Sequence, residues 1–159
     1  MAMEFLGKSK GTAESASAGD RLYRALALGD LPGAWLLARP AVDRAKTEKL
    51  PCVEAFNCGL CLYRLGEYEK ALAVLKQAEQ SLGNPPDLDI AERKLFLQAI
   101  EAVGQNGALL PLDPDGGPGL ERYMLIRVRW LIALSLAALG RRQEAAPVVR
   151  FLSQYRIEV

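Results

Sequence analysis

The three cysteines, Cys52, Cys58 and Cys61, fall within ten residues of one another, and Cys58-Gly59-Leu60-Cys61 has the spacing of a thiol redox pair. Such a pair works when its first thiol lies at a helix N-terminus, where the positive end of the helix stabilises a thiolate. The apolar spacing around it instead puts the pair in mid-helix with Cys58 on the packing face, where a free thiol serves as a small buried hydrophobe. Zinc would require a fourth ligand, and the chain has neither a histidine nor a second cysteine pair to supply it. The absence of histidine also removes the side chain most used for proton transfer near neutral pH. An enzyme is therefore not expected, and no metal or cofactor is implied.

Two other constellations have simpler readings. Asp113-Pro114-Asp115-Gly116-Gly117 begins like a calcium loop but lacks the later ligands and the closing glutamate; turn chemistry accounts for it. Gly116, Gly117 and Gly119 follow no strand and precede no lysine-serine or lysine-threonine pair, so they are not a phosphate loop. The arginines at 122, 127, 129, 141 and 142 could meet nucleic acid, with Tyr123 and Trp130 stacking on bases. Arg127 and Arg129, however, point about 200° apart on a helix, so they form no single stripe. They read as a solvated face or as partners of the acidic middle segment.

The 159 residues carry a net charge of +1, which gives no global pull toward nucleic acid or an anionic membrane. An odd, clustered set of cysteines is not a disulfide framework, so a reducing, cytoplasmic setting is expected. Phe5-Leu6 is the only apolar pair ahead of a Gly/Ser/Ala/Lys stretch, too little for the core of a signal peptide. The uncharged run from Trp130 to Gly140 falls well short of the ~20 residues needed to cross a bilayer.

The elements that position these residues are marked by a recurring phrase: an apolar residue, a glycine and, five residues on, an alanine. It occurs at Leu28-Gly29 with Ala34, Leu65-Gly66 with Ala71, and Leu139-Gly140 with Ala145, and Val103-Gly104 lies near a missing copy. A period of this length indicates stacked supersecondary units. Residues 1–18 read as a flexible tail, and residues 19–159 as one helical repeat domain. Leu22, Ala25, Leu26 and Leu28 fit a first helix, and Leu31 to Ala38 a second that Pro40 closes. Val53 to Leu65 and the run after Gly66 form a helical hairpin ended by Gly83-Asn84-Pro85-Pro86. Asp89 and Glu92 have the spacing of a capping box, with Phe96, Leu97, Ile100 and Val103 as the apolar stripe that follows. Gly104 to Gly119, rich in glycine and proline, replaces the return helix with a long loop. Leu120 to Leu139 and Gln143 to Tyr155 complete a last hairpin despite Pro147.

Residues 52–85 resemble a tetratricopeptide repeat, with Ala55, Asn57, Cys58-Gly59 and Leu62 on the first helix and Tyr68, Ala71, Leu75 and Ala78 on the second. Residues 126–159 match less closely, with Arg142 where an aromatic is usual, and residues 15–48 and 90–119 match weakly or in part. The resemblance implies an all-α superhelix of such hairpins, its third repeat degenerate, whose first helices line a concave groove. On it would lie Phe56, Asn57, Leu60, Tyr63 and Arg64, then Lys94 and Gln98, then Arg127, Trp130 and Leu134. The implied function is non-enzymatic binding of a peptide or partner helix, as a scaffold, adaptor or small chaperone. The alternative is a structural subunit whose aromatic face makes a homodimer, and Phe56, Tyr63 and Trp130 would be hidden instead if the tail, the 104–119 loop or a symmetry mate covered them.

Overall fold

In the computed structural model the described residues are 17–116 and 118–159. They are all-helical: α1 Ala18–Ala27, α2 Leu31–Arg44, α3 Cys52–Arg64, α4 Tyr68–Leu82, α5 Ile90–Val103, a 3-10 turn Gly104–Leu109, α6 Glu121–Ala138 and α7 Arg142–Ser153. Residues 1–16, most of the expected tail, lie outside the described set. None of the helices is long and apolar enough to cross a membrane.

The repeated glycine makes the same turn three times. Gly29, Gly66 and Gly140 have φ of 75°, 81° and 73°, a left-handed conformation that suits a residue without Cβ. In each case the next amide reaches back over the turn, from Asp30 to Ala25, from Glu67 to Leu62 and from Arg141 to Leu136, all at 2.9 Å. This is the helix-ending bond of a Schellman motif, and it fixes the return angle of the second helix. The hairpins are thus α1/α2, α3/α4 and α6/α7. Gly104 makes a different turn, its amide reaching Ile100 and its ψ of −157° leading into the 3-10 segment.

Alanines allow the helices to close on one another. Ala34, Ala38 and Ala41 of α2 and Ala71 and Ala78 of α4 are buried against their neighbours. Gly59 of α3 is a point of contact with α4: a Cβ there would fall 2.7 Å from Cγ and Cδ2 of Leu75, itself fully buried. Helices α2 and α3 pack together, and α4 packs directly on α6. The expected third unit therefore does not stand between the second hairpin and the last. Residues 83–120 leave the array and return to it, with α5 laid on another side of α6. Phe96, Leu97 and Ile100 of α5 join Ile126, Trp130 and Ala133 of α6 and Leu152, Tyr155 and Ile157 of the chain end in a second core cluster.

Both prolines expected to interrupt helices are accommodated. Helix α2 does not stop at Pro40 but continues to Arg44. Pro40 and Leu36 four residues earlier are both exposed, so water can reach the carbonyl that proline leaves without a donor. Pro147 sits in α7 in the same way, exposed, with exposed Gln143 one turn before it. The capping box forms as the spacing predicts, with the Glu92 amide donating to Asp89 Oδ1 at 2.7 Å.

The excursion is tied down at Asp87. Tyr155 donates its hydroxyl to Asp87 Oδ1 at 2.6 Å, Arg122 donates to the Tyr155 oxygen, and Arg93 reaches both Asp87 and the Gln154 carbonyl. The Tyr155 hydrogen bond, assisted by the Leu88 amide, Arg122 and Arg93, holds the Asp87 carboxyl below its ordinary range. A depressed carboxylate contributes stability above its unfolded pKa, and that contribution is lost as pH falls through the folded value.

Two outcomes follow. Gly59→Ala should lower unfolding free energy by about 1–3 kcal/mol, the usual cost of overpacking, when measured by urea denaturation. Below about pH 4 the wild-type urea midpoint should fall more steeply than that of Asp87→Asn, which has no carboxylate to protonate at that position.

Candidate functional site

The face of α3 that the sequence assigns to a groove is not bare. Asn57, 1% exposed, projects from the middle of α3 and grips both main-chain groups of one residue. Its Nδ2 donates to the Leu112 carbonyl at 2.8 Å, and the Leu112 amide donates to its Oδ1 at 2.9 Å. A carboxamide carries a donor and an acceptor side by side, which is what one residue of an extended chain offers along its edge. Leu112 is buried in the first core cluster, and Leu110 is extended, with φ −84° and ψ 138°.

Arg127 of α6 holds the same stretch of chain two residues earlier. Its Nη2 donates to the Leu110 carbonyl and its Nη1 to the Tyr123 hydroxyl at 2.8 Å. The guanidinium lies over the rings of Phe56, at 5.3 Å, and Tyr123, at 5.7 Å. These faces are attractive to a cation and leave its edges free for hydrogen bonds. Arg127 is 3% exposed, yet no carboxylate among the described residues pairs with it, and its Nε has no acceptor. Buried polar groups are normally satisfied, so an unused donor on a buried cation stands out.

The occupying segment runs antiparallel to α3. At one end Leu109, Leu110 and Pro111 border an open cleft of about 590 Å³ with Tyr23, Leu26, Leu28, Arg64 and Asn106. At the other, Pro114 borders a cleft of about 440 Å³ with Leu22 and residues 51–54 at the start of α3. The walls of both clefts come from α1 and α3, the first helices of two hairpins.

The structure brings together only part of the expected groove. Phe56, Asn57 and Arg127 meet around residues 110–112. Leu60 is buried in the first cluster, and Tyr63 is half-buried with its ring edge-on to Tyr68 at 5.2 Å. Arg64 is exposed on the wall of the larger cleft. Trp130 is buried under the 3-10 turn, where Gly107 lies against its ring, and Leu134 is partly buried between the two clusters. Lys94 and Gln98 are exposed on α5, whose buried side faces α6 and the chain end. Phe56 and Trp130, expected on an aromatic face, both lie inside the chain. The sequence leaves open a cover by the 104–119 loop without naming the residues that make it; the apolar run Ala108-Leu109-Leu110-Pro111-Leu112 inside that Gly/Pro-rich loop is the signal that marks them.

The cysteines lie close by but are chemically quiet. Burial raises the Cys58 thiol to about 12, helped by nearby Glu54 and Cys61, and raises Cys52 and Cys61 to about 11. At neutral pH all three are protonated thiols, the less reactive form.

Searches against protein-family models, curated proteins and solved structures found no match to this chain. The resemblance to tetratricopeptide repeats rests on the residues that carry it.

Asn57→Ala removes both partners of the Leu112 main chain at a buried position. A loss of about 1–3 kcal/mol of stability is expected from urea denaturation, with α-helical circular dichroism retained.

Proposed function

We propose that the protein is a non-enzymatic binding module that takes an extended stretch of another protein along the α1/α3/α6 face. The observation that carries this reading is the paired hydrogen bond between Asn57 and the Leu112 main chain. A side chain that pairs with both main-chain groups along one edge of a residue recognises extended chain as such, while neighbouring apolar contacts select side chains. Arg127, held between two rings and bonded to the Leu110 carbonyl, extends the same kind of recognition by two residues. Clefts at both ends of residues 109–114 give space for a longer peptide than the segment now seated there. A scaffold, an adaptor and a small chaperone share this mode of binding.

Homodimerisation through an aromatic face is a weaker reading, because of the large aromatics invoked for it only Tyr63 keeps part of its ring at the surface.

The test is selection of peptides from a random displayed library on the immobilised protein. The enriched peptides should weaken by at least about fivefold on Leu28→Asp and Arg64→Glu, substitutions at exposed cleft positions that leave the core intact. Unchanged binding to both variants, or no enrichment, would remove the groove from consideration.

A further inference from the structure

Residues 109–114 have the attributes of a ligand more than those of a connecting loop. Their hydrogen bonds to the helices go through the main chain: Leu112 to Asn57 by both groups and Leu110 to Arg127 by its carbonyl. Of their apolar side chains only Leu112 is fully buried, while Leu110 is 50% exposed and Leu109 and Pro111 are half-buried. The segment is bracketed by Gly104 and Gly119, with φ of 65° and 91°, conformations in which the chain can redirect without unwinding α5 or α6. It also fills the site incompletely, since the Arg127 Nε has no acceptor and a cleft lies open beyond each end.

We infer that residues 109–114 are a self-ligand, holding the place of an extended partner peptide that displaces them when it binds. The inference rests on the binding reading above and specifies its partner. That peptide runs antiparallel to α3 and places a leucine-sized apolar residue where Leu112 sits. Upstream of this residue it carries an acidic side chain, which supplies the buried guanidinium of Arg127 with the carboxylate it lacks; charge-assisted hydrogen bonds of this kind are the stronger ones. Because the self-ligand is tethered, a partner competes with a local concentration in the millimolar range, so binding is weak unless the partner adds these contacts or the segment is loosened.

The probe is a fluorescent peptide copying residues 106–116 with glutamate in place of its Leu110 counterpart, titrated against the full chain. Leu112→Ser loosens the internal segment and should bind the probe at least about tenfold more tightly than wild type, in keeping with release of a tethered competitor. A probe that also carries aspartate in place of its Leu112 counterpart should not bind. Equal affinity for wild type and Leu112→Ser, or no binding by a variant that keeps its helical circular dichroism, overturns the inference. Hydrogen exchange on the wild type gives an answer independent of that variant's folding. The Leu112 amide should exchange at least about a hundredfold faster than the core amides of α3, as expected for local opening, and equal rates would make the segment an obligate part of the core. If the probe fails while library-selected peptides still depend on Leu28 and Arg64, the self-ligand falls and the binding module stands; if both fail, both readings fall.

Discussion

Helix α6 is buried on nearly every side, and that constraint organises the molecule. Leu125, Ile126, Val128, Trp130, Leu131, Ile132, Ala133 and Leu136 are all buried, although they point in every direction around the axis. A helix of this kind is stable only where neighbours surround it. Helices α4 and α7 cover two sides as hairpin packing demands. The remaining surface, around Ile126, Trp130 and Arg127, is covered by the excursion: α5, the 3-10 turn and residues 109–112. Through α5 and the 3-10 turn the excursion is thus a structural requirement of the last hairpin, and through residues 109–112 it is the content of the groove. This dual role explains why its attachments are polar and specific at Asn57, Arg127 and Asp87, while the hairpins rely on alanine and glycine contacts.

The hairpins were legible because their signals are local. A glycine with left-handed φ, an alanine five residues later and apolar residues at helical spacing each report on a few neighbouring positions, and at Gly29, Gly66 and Gly140 they agree. The capping box at Asp89 was legible for the same reason. Pro40 misled because its effect depends on what surrounds it: on an exposed face the displaced carbonyl finds water and the helix runs on. The placement of α5 was not legible, since its stripe of Phe96, Leu97 and Ile100 states that one side is buried but not against what. Only the pairing of α4 with α6 excludes α5 from the position that periodicity assigned to it.

The groove shows the same division. The resemblance pointed to Phe56, Asn57 and Arg127, and these residues do converge. It placed Trp130 on the groove and left open whether the tail or the 104–119 loop covers it; the 3-10 turn of that loop does. Whether a helix face is open is decided by segments distant in sequence, and no window around Phe56 contains Leu112. Cys58 and Cys61 are the opposite case. Their chemistry depends on position within one helix, and the spacing of Ala55, Cys58 and Leu62 was enough to place them in the core.

The three hairpin turns are closed by contacts between residues a few positions apart, whereas Asn57 and Leu112 are separated by 55 positions and Arg93 and Gln154 by 61. Local contacts form early in folding, and distant ones must wait until the intervening loop has been closed at an entropic cost. The heavier entropic cost therefore falls on closing the excursion and on docking α6 against α4, where Arg129 and Glu79 are 50 positions apart, and the lighter cost on the turns themselves.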